Sequence, residues 1–472
     1  MNKAKVGLYL IGAGRFKTIG EGTARENYTV RKQKEAEWMV KEASEKFDVS
    51  FPGVIYTKED TYRAIDQFVA DKVDCIVTIY LSWTEDFTWN RFLRDMPPIP
   101  ILYAHRMRDE VNLGDTHDDD EFCEYLCCGG LVGALQGSGD NKRYSRDMFE
   151  TTIGTWKEVL ARAEKFANAA KVRTMLRKSS VGLLACYNEV MWSTYVDPYN
   201  VFMKVGPELR FMSVAELCDE IDNVTEEEAE EMLKSLSERF YVKPDVNHEK
   251  FLASVRATMA MERLAEKFGV DLLVLNDVDN VLYRKVGLRP GFYPTNEGVK
   301  TVIVPEGDMG VGFASLMLKW LTGKHVNMIE PFHIDVPSDT FEGGHAGPND
   351  YSDPRGQTQI SRDVRFAKTP YKHAGAPFAW HVWPAGLKTM VHISQDGDTF
   401  KMAVTLVEAV ETVPHLATYC HSRFRPVGQT CKELFGKLLN IGVTQHYAIV
   451  EGDVTEEILD LGKMLGFNCH RV

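Results

Sequence analysis

What this 472-residue chain lacks narrows its function first. No stretch approaches the roughly 20 apolar residues that a membrane helix needs. No basic run exceeds a few residues, and the formal net charge is −13; a nucleic-acid binder needs basic patches against phosphate, so that class is set aside. Nine cysteines, an odd number at irregular spacing and with no Cys-x-x-Cys pair, argue against a disulfide framework and a thiolate zinc site. Reduced thiols fit the cytoplasm. Met1 to Lys5 leads straight into a short apolar run, too short for the apolar region of an export signal. There is no Walker A loop and no Gly-x-Ser-x-Gly elbow. Gly12-Ala13-Gly14 follows the apolar run Val6–Ile11, but Lys17 stands where a dinucleotide fingerprint needs its third glycine.

What is present is an alternation of apolar runs and amphipathic segments. Val6–Ile11, Val54–Tyr56, Asp74–Leu81 and Ile101–Tyr103 read as strands, and Glu21–Phe47, Lys58–Ala70 and Thr155–Met175 as helices. Such βαβ alternation implies a parallel sheet between helices. Arg177–Ser180 then leads into a fresh strand, Val181–Leu184, with helices at Val214–Ile221 and His248–Phe268 and a strand at Asp271–Asn276. From Lys324 the pattern changes to strand pieces separated by turns: Ile334–Val336, Met390–Ile393, Phe400–Val407 and Tyr447–Val450. That pattern predicts an antiparallel, partly barrel-like region. The expected fold is two doubly wound, Rossmann-like parallel-sheet domains and a mostly antiparallel C-terminal domain. Their expected ranges are 1–176, 177–323 and 324–472.

The stretch from Glu306 to His345 holds the chemistry. Thr301–Val304 is an apolar strand that breaks at Pro305 and delivers Glu306-Gly307-Asp308 ahead of a helix over Val311–Leu321. A second apolar run, Val326–Ile329, ends on Glu330, and His345 follows a glycine pair. Acids at the carboxyl ends of buried strands are where open α/β sheets present chemistry. With His446, a hundred residues on, they make a mixed oxygen and nitrogen set suited to manganese or cobalt more than to a thiolate-seeking ion. Each acid taken alone reads as a solvated strand end. Gly343–Gln359 reads as a long loop, either functional or mobile. Thr116-His117-Asp118-Asp119-Asp120 reads as an acidic helix start rather than a metal cluster. Cys123 and Cys127, four apart, would share a helix face. His381, between Trp380 and Trp383, is either a packed strand histidine or part of a sugar pocket.

Pro305-Glu306-Gly307-Asp308, Met328-Ile329-Glu330, Gly344-His345 and Gln445-His446-Tyr447-Ala448 resemble, in this order, motifs of the L-arabinose isomerases in the L-arabinose/L-fucose isomerase superfamily. The resemblance implies that Glu306, Glu330, His345 and His446 bind one divalent metal, expected to be manganese, with cobalt or magnesium as alternatives. It implies that Glu306 and Glu330 also move protons between C1 and C2 of a free monosaccharide through an enediol; a hydride shift is the competing mechanism. It also implies a homo-oligomer, a hexamer. Arabinose isomerases carry a glutamine and a histidine ahead of a double glycine like Gly129-Gly130; Tyr125 and Cys128 stand there in this chain and are expected to line the substrate site for a sugar other than L-arabinose. The competing classes are a non-catalytic sugar-binding or sensing protein and a metal-dependent epimerase or aldolase.

Overall fold

The computed structural model describes residues 3–19, 28–108, 117–292, 295, 298–347, 350–351, 358–417 and 419–472. Thr116, the Cys123 side chain and part of the expected Gly343–Gln359 loop fall outside the described residues. The chain divides into two compact units, Met1–Thr174 and Met175–Val472.

The first unit is built on a five-stranded parallel sheet. Its strands are β1 (Lys5–Ile11), β2 (Asp48–Ser50), β3 (Cys75–Tyr80), β4 (Ile101–Arg106) and β5 (Phe149–Gly154), in the order β2-β1-β3-β4-β5. β3 is buried along its whole length. That follows from a parallel sheet covered on both faces, and it explains the unbroken apolar run. The strand expected over Val54–Tyr56 is instead at β2. Pro52 has no N–H to donate and Gly53 turns through φ +96°, so Ile55 makes only an isolated bridge to Ile11. The helix expected from Glu21 is described from Tyr28 to Lys46.

The second unit begins with a four-stranded parallel sheet. In chain order come β6 (Ser180–Leu184), β7 (Glu208–Met212), the two-residue β8 (Tyr241–Val242), β9 (Leu272–Leu275) and β10 (Val302–Val304). Four of them lie in the order β10-β9-β6-β7, and β8 joins a small sheet with β13 (Gln359–Arg362) and β14 (Pro377–Trp380). Helix His248–Phe268 starts on the Asn247 side chain, which accepts from Lys250 N–H, and stops at Gly269 in the left-handed conformation. Its Val255, Leu264 and Ala265 are fully buried.

The rest of the unit is a mainly antiparallel barrel of β11 (Val326–Asp335), β12 (Thr340–His345), β15 (Gly386–Asp396), β16 (Thr399–Val410), β17 (Cys420–Pro426) and β18 (Tyr447–Glu451). It closes because β16 pairs with β15 along one edge and with β17 on the other, where β19 (Asn468–Arg471) also adds in parallel. The strand expected to end at Glu330 runs on to Asp335, which takes in the expected separate piece at Ile334. β18 ladders with β11 only over Val326–Ile329, so Pro331, which has no N–H, falls where β11 pairs with β12 alone. Gly343, Gly344 and His345, expected to open a loop, instead close β12.

One contact brings the parallel sheet's carboxyl edge to the barrel. Helix Met309–Thr322 follows β10 and is buried from Met309 through Leu318. A Cβ placed on Gly310 would lie 2.0 Å from the Ile393 carbonyl oxygen of β15, so the first turn rests directly on barrel backbone. Glu306 and Asp308, just ahead of this turn, are thereby delivered to the side chains of β11, β12 and the segment before β18.

Candidate metal centre

Glu306 sits in the turn between β10 and helix Met309–Thr322 with φ +63°, followed by Gly307 at φ +70°. A left-handed glutamate is disfavoured, and such backbone persists only where its surroundings over-determine it. Here three hydrogen bonds do so. Glu306 N–H donates to Asp277 Oδ1 at 2.7 Å, Asn188 Nδ2 donates to the Glu306 carbonyl at 3.1 Å, and Gly307 N–H donates to the Leu275 carbonyl at 3.0 Å. Asp277 is in turn paired through its Oδ2 with Arg289, whose guanidinium also donates to the Ala346 carbonyl at 3.2 Å. Asp277 and Arg289 are both buried, and together they tie the Glu306 turn to the residue after His345.

The side chain of Glu306 meets two imidazoles. Its Oε1 lies 3.7 Å from His345 Nε2 and its Oε2 lies 3.5 Å from His446 Nε2. The two rings stand edge to face with centroids 5.4 Å apart. Glu330 Oε2 is 3.8 Å from His446 Nε2, and its side chain is 26% exposed, against 8% for Glu306 and 0% for the histidines. Glu306, His345 and His446 offer ligand atoms all within 4.8 Å of one another, with all three residues buried. Donor atoms around one ion at bonds of about 2.0–2.2 Å stand roughly 3.0–3.6 Å apart, so these groups, at 3.5–3.8 Å, would draw in by a few tenths of an ångström to share a cation. Arg365 Nη1 also approaches Glu306 Oε1, at 3.5 Å.

Asp308 decides how His446 is presented. Its Oδ2 lies 2.9 Å from His446 Nδ1, while its Oδ1 caps the helix by accepting from Gly310 and Val311 N–H. A carboxylate at Nδ1 takes the proton there and turns Nε2 toward the cluster, the arrangement that orients metal-binding histidines. His446 Nε2 is buried and makes no hydrogen bond among the described residues. The His446 carbonyl is in turn 2.8 Å from His392 Nδ1.

Electrostatics follow from this packing. Burial pushes the Glu306 carboxyl up, but the His345 and His446 imidazoles outweigh it and hold the group well below the usual carboxylate range. Burial pushes His446 down, and its contacts with Asp308 and Glu306 outweigh that and raise it to about 10. A carboxylate that stays ionised while buried, beside an imidazole that holds its second proton tightly, is a place where a cation can replace that proton. The mixed carboxylate and imidazole donors fit an ion of intermediate hardness.

The expected substrate residues are divided between the two units. Tyr125, exposed, and Cys128, half-buried, line a cavity of the first unit. His381 is buried in the second unit, 3.7 Å from Cys420 Sγ and edge to face with Trp383. Sequence reasoning missed Asp308, Asp277 and Arg365. Asp277 carries the signal that singled out Glu306, an acid just past a buried strand; Asp308 shares the Pro305–Asp308 motif.

No family model matches the chain, and no curated protein matches it. Among solved structures, it is similar to a periplasmic solute-binding protein of an ABC transporter from Actinobacillus succinogenes with bound D-allose: 14% identity over 61% of this chain and 84% of that one, TM-score 0.15. It is also similar to the N-terminal part of a Bacteroides fragilis protein containing a phosphatase domain complexed with Mg: 10% identity over 68% and 94% of the two chains, TM-score 0.16. Scores this low do not define a shared fold, and nothing about this chain follows from them.

Proposed function

We propose that the protein is a metal-dependent aldose–ketose isomerase of the L-arabinose/L-fucose isomerase type, acting on a free monosaccharide other than L-arabinose. The observation that carries this reading is the buried meeting of Glu306, His345 and His446, with Glu330 at its more exposed side and Asp308 holding His446 Nδ1. Glu306, His345 and His446, with Glu330, would hold a divalent ion, manganese by the chemistry of the donors, and the ion would supply Lewis-acid polarisation of a substrate carbonyl.

The chain's own residues divide the remaining work. His345, His446 and Glu306 are buried and rigidly placed, which suits holding an ion. Glu330 is the accessible carboxylate, and it takes the proton from one carbon and returns it to the neighbouring one as general base and acid. Glu306, held ionised, is the second carboxylate facing the substrate and assists the transfer between oxygens. Both strand orders, β2-β1-β3-β4-β5 and β10-β9-β6-β7, extend in both directions from their first strand. With right-handed crossovers this places helices on both faces, and we read both sheets as doubly wound. The cytoplasm and a hexameric assembly belong to the same reading. Among the described residues no helix is long and apolar enough to cross a membrane.

The test is metal content and turnover of an aldose panel, L-arabinose included, for the parent and its His345→Ala, His446→Ala, Glu306→Gln and Glu330→Gln variants. The parent is expected to retain about one Mn2+ per chain, and each histidine variant to bind it at least about 100-fold more weakly. Glu330→Gln is expected to keep metal and lose turnover, because an amide cannot shuttle a proton. A parent that binds no divalent ion, or that binds it and turns over no aldose, overturns the proposal.

A further inference from the structure

Two arginines of the second unit share one aromatic ring and differ in what their charge meets. The guanidinium carbons of Arg289 and Arg365 lie 5.3 and 5.5 Å from the centroid of Phe366. Arg289 is buried, and its charge is committed to Asp277. Arg365 stands in the turn after β13, and its side chain is 37% exposed. Asp363 fixes that turn, its Oδ1 accepting the Arg365 backbone N–H at 3.0 Å. The ring and the turn hold the guanidinium without using its N–H donors. Its ion-pair approach is to Glu306 Oε1, 3.5 Å from Nη1, which is beyond the ordinary N–H···O range. Among the described residues the guanidinium makes no hydrogen bond.

Arg365 and Glu330 face the same space. Glu306 Oε2 and Glu330 Oε2 lie 3.5 and 3.8 Å from one atom, His446 Nε2, so the two carboxylates flank a single spot, and Arg365 bounds it on the Glu306 side. The half-buried Tyr419, ahead of β17 and edge to face with Phe332 of β11 at 5.2 Å, is within the field of both. Burial holds its phenol above the ordinary range, Arg365 draws it down and Glu330 pushes it up. A purely structural task fits Arg365 poorly. An exposed pair at this separation contributes little to stability, and the two imidazoles already keep Glu306 ionised.

We infer that Arg365 is a further catalytic residue of this centre, its guanidinium donating to the substrate oxygen on which negative charge develops as the neighbouring carbon is deprotonated. The inference rests on the isomerase reading. In that reaction the Glu330 carboxylate takes a proton from the carbon beside the carbonyl; the C–H electron pair becomes the enediolate double bond, and the carbonyl π pair moves onto oxygen. Returning that proton to the other carbon, with one proton passed between the oxygens, restores a neutral sugar. Charge on the substrate is present only between these transfers, so a fixed donor beside it favours that stage over the ground state. Proximity selects this task over recognition of a distant anionic group. Carbons set between Glu330 and Glu306 carry their oxygens next to Glu306, and Arg365 stands 3.5 Å from that carboxylate.

The experiment compares the full-length parent with Arg365→Gln and Arg365→Lys, each loaded with Mn2+, in two measurements. Calorimetric titration uses a polyhydroxy hydroxamate, planar and anionic like the enediolate, and the neutral alditol of the same length. Arg365→Gln is expected to weaken the hydroxamate about tenfold and the alditol less than about twofold, with Arg365→Lys in between. Turnover of the best aldose of the panel should fall about 100-fold in kcat for Arg365→Gln, with KM within about threefold of the parent. Mn2+ content should match the parent's. If melting curves show Arg365→Gln unfolded, Arg365→Lys carries the test, with kcat expected about tenfold below the parent; parental kcat and hydroxamate affinity in it would overturn the inference. Equal weakening of both ligands, undiminished hydroxamate binding, undiminished turnover or loss of Mn2+ in Arg365→Gln overturns it as well. Each of these leaves the isomerase reading standing, whereas a parent that turns over no aldose overturns that reading and this inference together.

Discussion

Two glutamates of the second unit are buried almost equally, Glu306 at 6% and Glu262 at 8% exposure, yet their carboxyls move in opposite directions. Burial pushes both up. Around Glu262 the hydrogen-bond donors are neutral: Thr295 N–H donates to Oε1 at 2.8 Å and the Thr295 hydroxyl to Oε2, and the carboxyl rises to about 7. Around Glu306 two imidazoles outweigh burial and the carboxyl falls. Chain geometry differs as well. Glu262 lies inside a helix, whereas Glu306 holds a left-handed backbone braced by Asp277. A structural need for a buried carboxyl can thus be met by a neutral acid and a threonine. A charged, strained glutamate facing two histidines is a costlier arrangement, and it is the one that suits a cation.

Removing the brace should break the contrast most. Asp277→Ala leaves Arg289 as a buried cation without its carboxylate and frees the Glu306 N–H, which should lower unfolding free energy by about 3–5 kcal/mol. Urea denaturation measures it, and Mn2+ affinity should fall in the molecules that remain folded. A loss under about 1 kcal/mol would mean that the pair does not hold the turn.

The Glu262 side of the comparison is tested by pH. With the folded carboxyl at about 7 and the ordinary value at 4.5, the native state holds a proton that the unfolded chain has released between those values. This contribution to stability is complete below about pH 4.5, is lost as pH rises to about 7, and is flat above; it amounts to about 3 kcal/mol. Glu262→Gln should remove that slope and leave the metal centre untouched. Denaturation midpoints at pH 5, 6, 7 and 8 compare the two proteins, and an unchanged slope in the variant would remove Glu262 as its source.

The smallest expected effect sharpens the Glu306 side. Asp308→Asn keeps the shape of the turn but offers His446 Nδ1 an amide in place of a carboxylate, and should weaken Mn2+ binding about 10- to 100-fold. Calorimetric titration of both proteins decides this, and equal affinities would reduce Asp308 to a helix cap.

Much of the local structure was legible. Helix His248–Phe268 was readable to the residue from apolar spacing, and the structure adds the Asn247 cap and the Gly269 stop that fix its ends. The strand at Val6–Ile11 and the change to antiparallel pairing after Lys324 were legible for the same reason: side-chain periodicity reports which faces are covered. Other readings failed where the outcome depended on a partner. Val54–Tyr56 has strand-like residues, but Pro52 and Gly53 remove it from the ladder that β2 joins. β11 runs past Pro331 because β18 leaves that stretch early, which no local pattern in β11 announces.

The candidate centre divides in the same way. Glu306, Glu330, His345 and His446 were named as one set through the motif resemblance; the residues alone offered acids at strand ends and a histidine beside glycines, and their types select oxygen and nitrogen chemistry. Their meeting was decided in three dimensions. It needs the barrel to close through β15 and β16, Gly310 to let a helix rest on the Ile393 carbonyl, and Asp277 to hold Glu306 at a positive φ. Hydrophobic period and turn chemistry act over a few residues, and so the sequence shows them directly. Charge, ligation and backbone strain act over a few ångströms between residues distant in the chain, so only the folded arrangement determines them.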